Sequence, residues 1–510
     1  MLGFEVEPVE AVPEDEVELR PARLAPPEAS RTGLITDDRH ERLVHSLGRA
    51  YRDVVRAHRG EFEHPPDLVA FPVDAAEVEE VLERADSLGA AVIPFGGGTS
   101  VVGGVEPRLE HPDRPVISLD LGRIDRVVEV DRESGSALIG AGVRGPVLEE
   151  QLKADGTTLR HFPQSFEWST LGGWIATRAG GHFATGETRI DDLIESVTAL
   201  SPAGRWESRR LPGSGAGPSP DRLLLGSEGI LGVITEAWVR VRPRPRFRAR
   251  ATVDFPNFVE AATGAVREIA QSGLQPANCR LVDPSEAGLM GAGDGSCAVL
   301  MLGFESAATP VDGRLDQAIG IAGANGGEVR DRRVSADGDG AEAGTGSDQW
   351  KAAFLEAPYL RDRLVCCGVL SETFESAITW ERFREFHHRV VGATREAAEA
   401  AGPAGGSPPR VTCRLTHVYP DGAAPYFTVI GPARRGEEVA QWDEVKAAAS
   451  EAILSAGGTI THHHAVGRDH RHWYDRQRPE PFGEALAAAK DALDPSWMLN
   501  PGVLIDPPGP

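Results

Sequence analysis

Lysine is nearly absent: only four of the 53 basic residues are lysine. That bias reflects a GC-rich genome and carries no function by itself. The charge balance excludes more. At a net −24 the chain has no general attraction for nucleic acid. The alternating run Arg240, Arg242, Arg244, Arg246, Arg248 and Arg250 reads as the solvated face of a strand and its exit. Cysteine is scarce too. Cys279, Cys297, Cys366, Cys367 and Cys413 are odd in number and lack paired spacing, so reduced thiols in a cytoplasm are expected. No apolar run approaches the roughly 20 residues that cross a bilayer. Residues 1–20 are rich in Glu and Pro with no apolar core, so no signal peptide is read. The last residues carry no peroxisomal address.

What is present is a soluble globular composition, 41% hydrophobic and 25% charged, over 510 residues. That length allows two or three domains. Helical spacing of Leu43, Leu47, Tyr51, Val54 and Val55 predicts a helix over 36–60. Residues 67–72 read as a strand. Asp74 and Glu77 form a capping box for a helix lined by Val78, Val81, Leu82, Ala85 and Leu88. Residues 91–94 are the next strand. Further strands are expected at 116–119, 126–130, 137–140, 196–200 and 232–241, with a helix at 145–155. From about residue 246, helices (259–272, 379–400, 439–456) alternate with strands (298–304, 364–370, 411–418, 426–431). Residues 335–348 and 401–409 read as loops. The expected division is an acidic segment and helix (1–62), a first domain (63–245), a second (246–440) and a C-terminal segment returning to the first site (441–510).

One stretch organises the first domain: Pro94-Phe-Gly96-Gly97-Gly98-Thr99-Ser100-Val-Val-Gly103-Gly104. Glycine lets the backbone turn tightly and approach a ligand closely. Successive amide N–H groups in such a turn form a nest for an anion. Two familiar phosphate loops fail here. Gly98 and Gly103 have P-loop spacing, but Gly104 stands where that loop needs lysine. Gly96-x-Gly98 is followed by Val101 and by no credible helix, so the dinucleotide fingerprint fails as well. The anion must be held by backbone amides, or else the run is a plain surface turn.

The motifs Pro94–Ser100, Pro163-Gln-Ser-Phe-Glu-Trp-Ser-Thr-Leu-Gly-Gly-Trp174, Thr177-Arg-Ala-Gly-Gly181 and Gly226-Ser-Glu-Gly-Ile-Leu-Gly-Val-Ile-Thr235 resemble, in that order, the FAD-binding domain of the vanillyl-alcohol-oxidase (PCMH-type) flavoproteins. Within that group, Phe166–Thr170, Ser371–Glu375, Cys413–Tyr419 and Thr461–Gly467 are most similar to the alkyldihydroxyacetonephosphate synthases. The resemblance implies an α+β fold: a two-subdomain FAD-binding domain, and an α/β cap domain with an antiparallel sheet over the flavin ring. It implies non-covalent FAD, held through Pro94, Gly96, Gly97, Gly98, Thr99, Ser100, Pro163, Ser165, Thr170, Gly172, Gly173, Thr177, Glu228 and Ile234. It further implies a homodimer, and a lipid-like substrate with peripheral membrane contact.

The implied reaction has no net redox. A fatty acyl group of acyl-dihydroxyacetone phosphate is exchanged for a fatty alcohol, with flavin N5 bonded transiently to substrate C1. By the resemblance, Tyr426 occupies the catalytic position, and Arg178 and Arg361 fall at arginines near flavin and substrate. A guanidinium suits phosphate or carboxylate alike. A phenol serves as a base only where cations stabilise its anion, and Tyr426 could equally be a tyrosine packed on a sheet face. His462-His463-His464 offers acid–base groups near neutral pH. On an extended strand His462 and His464 would share one face. A zinc reading needs further ligands that the spacing does not identify, and no metal is assigned. The same-fold alternative is an FAD-linked oxidase or dehydrogenase of a 2-hydroxy acid or alcohol, where Glu-His-Gly is usual; His463 stands in place of that Glu. Departures from the synthase pattern are His182–Thr185, Ala465, Pro425 and Gln164.

Overall fold

The computed structural model describes residues 7–27, 33–336 and 360–506. They fall into two units. One holds the described residues of Met1–Val9, Gly181–Thr188 and Pro243–His462; the other holds those of Glu10–Gly180, Arg189–Arg242 and His463–Pro510. Helix Glu438–Ser455 belongs to the former unit, because it lies along helix Trp380–Ala400 and against strand Val369–Glu375.

The unit that carries the glycine-rich loop has two sheets, the expected pair of subdomains. In the first, strands run in the order Ile35–Thr36, Leu68–Ala70, Val116–Asp120, Ala91–Phe95, the last three parallel. These strands are short apolar runs because they are covered: Leu68, Val92, Ile117 and Leu119 are wholly buried against Val78, Val81 and Ala85 of helix Ala75–Ser87. Asp74 caps that helix by accepting the Glu77 N–H at 2.9 Å, and Glu77 returns a bond from the Val73 N–H. The second sheet is antiparallel, in the order Val127–Asp131, Ser136–Gly140, Val233–Arg240, Ile194–Ser201, Gly204–Glu207. Its inner face packs with Leu148, Leu171, Trp174 and Ile175. The C-terminal chain returns to the first sheet, where the Val92 N–H donates to Met498 O and the Asn500 N–H to Val92 O.

The other unit is built on one antiparallel sheet, in the order Glu328–Ala336, Phe247–Phe255, Ala298–Ser306, Asn278–Val282, Arg410–Val418, Gly422–Pro432, Val369–Glu375, with Ile378–Thr379 beside Gly422–Pro432. Helix Trp380–Ala400 packs on the central strands through Phe383, Phe386 and Val390. Arg248 and Arg250 lie exposed on Phe247–Phe255, as a solvated strand face requires.

Three expectations change. The helix over 36–60 is two helices, Arg39–Val44 and Tyr51–His58. The break between them carries Gly48, where a Cβ would collide with the Ser100 carbonyl, and the Arg49 N–H donates to that carbonyl at 2.6 Å. The strand expected at 364–370 is a helix, Arg361–Cys366, stopped by Gly368 at φ +65°, followed by strand Val369–Glu375. Helix 259–272 forms with a π turn at Ala262–Val266. Most of the loop expected at 335–348 lies outside the described residues. No helix among the described residues is long and apolar enough to cross a membrane.

Candidate active site

Strand Ala91–Phe95 delivers the glycine-rich loop at the C-terminal edge of the parallel sheet, where α/β folds bind ligands. Two glycines there are obligatory. Gly98 has φ +64°, and a Cβ on Gly97 would overlap the Trp168 carbonyl oxygen and lie 2.6 Å from its carbon. The loop is thus pressed back to back with the turn at 163–170. Ser100 Oγ closes it by accepting the Gly104 N–H at 2.9 Å. Among the described residues, the amides of Gly97, Gly98 and Thr99 have no protein acceptor. A run of unpartnered N–H groups on a Cβ-free loop is what a diphosphate's oxygens require. These residues fit the group.

The other residues read as cofactor contacts lie in the same unit, and of these Thr170 and Glu228 stand beside the loop, where a Cβ on Gly96 or on Gly104 would meet them. Pro163 O accepts the Phe166 N–H, and Ser165 O accepts from both Ser169 N and Ser169 Oγ. Thr170 caps helix Leu171–Thr177 by accepting the Gly173 N–H at 3.3 Å, and Thr177 Oγ1 donates to Gly173 O. Gly172 also has a packing reason: a Cβ there would sit 2.7 Å from Ala141 Cβ. Pro94 lies where a Cβ on Gly229 would fall. Ile234 is buried in strand Val233–Arg240, paired with Ala199. Glu228, at φ +50°, is buried and accepts the Val466 and Gly467 N–H groups at 2.8 Å each, tying the segment after the histidines to this site. Burial pushes its carboxyl up to about 7 although both backbone bonds pull it down. Arg178, also at positive φ, pairs with Asp191 at 2.6 Å.

The second cluster stands in the sheet of the other unit. Strand register sets Tyr426 opposite Arg414 on one neighbour and Glu375 on the other. Tyr426 is buried, and the Arg414 guanidinium lies 3.8 Å from its ring centroid. Arg414 also pairs with Glu286 at 2.6 Å, and Glu286 accepts from Thr412 Oγ1. Burial raises the Tyr426 phenol above its usual value; Arg414, a hydrogen bond with Thr373 and buried Arg361 pull the other way and do not win. The cations that a tyrosinate would need are therefore at hand, yet the resting phenol is neutral. Arg280, buried on the adjacent strand Asn278–Val282, is lowered to about 9 by burial first and by Arg414 second. The Asp283 carboxyl is pushed up to about 7, chiefly by burial.

Pro425 has no N–H for the ladder. The neighbouring strand accommodates it with a bulge between Leu415 and His417, so that His417 pairs with Ala424. The bulge carries the chain to Tyr419, whose Oη lies 2.6 Å from His462 Nε2 and 3.0 Å from Thr188 Oγ1. His417 Nε2 lies 2.9 Å from the Gly181 carbonyl, and its ring is 5.1 Å from that of His462. Glu375 holds the His462 backbone: it accepts the His462 N–H at 2.5 Å and the Thr461 hydroxyl at 2.7 Å. The histidine triplet is not an extended strand. Residues 461–464 follow an irregular path and Ala465 has φ +74°, because Glu375 pins the chain on one side and Glu228 on the other. His462 belongs to this unit, while His463 and His464, with rings 4.9 Å apart edge to face, belong to the unit of the glycine-rich loop.

Sequence reasoning did not assign roles to Arg414, Arg280, Glu286, Glu375, Thr188 or Tyr419. Glu375, Arg414 and Tyr419 lie in motifs it singled out, but only β-register shows which of them face one another.

Comparison with known proteins agrees with this architecture. Residues 66–208 match the model "FAD binding domain", and residues 244–504 match "FAD linked oxidases, C-terminal domain". An alkyldihydroxyacetonephosphate synthase of Caenorhabditis elegans is 33% identical over 91% of this chain and 80% of its own. That of Trypanosoma brucei brucei is 30% identical over 92% and 78%. A solved alkyldihydroxyacetonephosphate synthase structure superposes with a TM-score of 0.81 at 26% identity, covering 98% of this chain and 88% of that one. The cofactor is FAD, and the chain belongs to the FAD-linked oxidases, in the group of the alkyldihydroxyacetonephosphate synthases.

Proposed function

We propose that the protein exchanges the fatty acyl group of acyl-dihydroxyacetone phosphate for a fatty alcohol, as the names of its relatives suggest. The observation that carries the reading is the surrounding of Tyr426: a buried neutral phenol with one guanidinium on its ring face and a second, Arg361, close enough to act on it. That is a setting for an anionic, oxygen-rich substrate, and the neutral phenol offers it a hydrogen-bond donor.

FAD, when bound through the amides of Gly97, Gly98 and Thr99, supplies a ring able to accept and return an electron pair with no net oxidation. The chain's own groups do the rest. Arg361 binds the substrate's anionic group, and Arg414, fixed by Glu286, holds the Tyr426 ring in place. Tyr426 donates its O–H to a substrate oxygen. His462 takes the proton of the incoming alcohol. In the balance, the bond from C1 to the acyl oxygen breaks, the alcohol oxygen bonds to C1, the carboxylate departs and the alcohol proton leaves through His462. The test supplies acyl-dihydroxyacetone phosphate with an isotopically labelled long-chain alcohol. The expected products are free fatty acid and an ether carrying the label, identified by mass spectrometry; acid without labelled ether would refute the assignment.

A further inference from the structure

Resting on that reading, we propose that Tyr419 is a positioning residue that fixes the ring of His462, with Thr188 as the third member of the chain. Three observations carry it. The phenol oxygen lies 2.6 Å from His462 Nε2 and 3.0 Å from Thr188 Oγ1, so it has one partner on each side. His462 is buried at 6% exposure and Thr188 at 1%, so water does not compete freely for either group. The backbone of His462 is separately held by Glu375, which leaves the ring's orientation to its side-chain contacts.

A phenol is both donor and acceptor. In the proposed arrangement its O–H donates to Thr188 Oγ1, and its oxygen accepts the His462 Nε2–H. That places the imidazole's basic lone pair on Nδ1. When Nδ1 takes the alcohol proton, the imidazolium keeps the same Nε2–H bond to the same oxygen. No heavy atom has to move, and the phenol oxygen stabilises the positive ring. The arrangement does for His462 what a fixed acceptor does for any catalytic histidine: it selects one tautomer and one ring plane. His417, whose Nε2 faces the Gly181 carbonyl, has its ring 5.1 Å from that of His462, His463 brings a ring nitrogen within 4.8 Å of theirs, and Glu375 holds the His462 backbone rather than its ring.

The test is Tyr419→Phe in the flavin-loaded full chain, with Thr188→Val as a second variant that keeps the phenol. Histidine labelled with nitrogen-15 gives ring signals, and those of His462 are assigned by their loss in His462→Gln. The wild type should show a protonated Nε2 whose proton is shifted downfield and slow to exchange. Tyr419→Phe should lose that proton signal and lower kcat by about tenfold or more, with KM and flavin content unchanged. Thr188→Val should give a smaller fall in kcat with the Nε2 proton retained. An unprotonated Nε2 in the wild type would overturn the proposal. So would a Tyr419→Phe enzyme with unchanged kcat and an unchanged Nε2 proton. If the wild type makes no ether at all, the reaction assignment falls, and the nitrogen spectra still decide the Tyr419–His462 contact.

Discussion

Replacing Tyr426 with phenylalanine removes one oxygen and leaves the rest of its surroundings intact. The ring stays buried, and the Arg414 guanidinium keeps its place 3.8 Å from the centroid. What is lost is the hydrogen bond shared with Thr373 and the O–H offered to substrate. A single internal hydrogen bond is worth about 0.5–1.5 kcal/mol, so the fold and the flavin should survive. A positioned acid or base contributes roughly 10²–10⁴ in rate, or about 2.7–5.4 kcal/mol. The two effects differ enough in size to be separated. The assay measures ether formation at saturating substrate, with the flavin absorbance and thermal transition of the same preparation as controls. We expect a yellow, folded protein with turnover reduced at least about a hundredfold. Turnover within about threefold of wild type would remove Tyr426 from the chemistry, and loss of flavin would show that its role is structural.

Other outcomes follow from the same geometry. Gly97→Ala sets a Cβ against the Trp168 backbone, where no flexible side chain can yield, so the protein should purify without flavin; full occupancy would show that the loop is not the cradle. Gly392→Ala is the matching control: it lies inside helix Trp380–Ala400 with nothing within 4 Å of the new Cβ, so it should gain up to about 1 kcal/mol in thermal unfolding and keep its flavin. Glu228 has a carboxyl raised to about 7, so its contribution to stability is fully present below an unfolded value near ~4.3 and is lost as pH rises through about 7. Measured as the flavin-free protein, Glu228→Gln should therefore gain relative to wild type between pH ~5 and ~8, by up to about 3 kcal/mol; a flat or opposite difference would contradict the burial argument.

Much of the cofactor half was legible because its signals are local. Gly98 turns at positive φ for a reason local to the loop, and the missing lysine at Gly104 pointed to backbone amides, whereas the Trp168 backbone that excludes a Cβ on Gly97 comes from a distant segment. The capped helix at Ala75–Ser87 and the existence of the strands beside it follow from period and caps alone. The chemical cluster was only half legible. Tyr426 could be named, but its partners Arg414 and Glu375 come from two other strands, and pairing register is not written in either strand's periodicity. Burial outweighs the two arginines at the Tyr426 phenol, a balance that depends on the packed sheet. The path of the triplet was not legible, because three consecutive histidines give no period. Its actual path is set by two distant carboxylates, Glu375 and Glu228. Residues 364–370 misled for a related reason: Leu364, Val365, Cys366 and Cys367 suit a strand, and the helix there ends only because Gly368 adopts positive φ.

Flavin and the Tyr426–His462 cluster are proposed to carry out an exchange with no net oxidation. Its most direct measurement is the flavin spectrum under anaerobic conditions, on mixing first with acyl-dihydroxyacetone phosphate and separately with 2-hydroxy acids. Acyl-dihydroxyacetone phosphate should perturb the oxidised spectrum and release fatty acid, and added alcohol should restore the spectrum as ether appears. Lasting bleaching by a 2-hydroxy acid, with electrons passed on to a dye, would contradict the exchange.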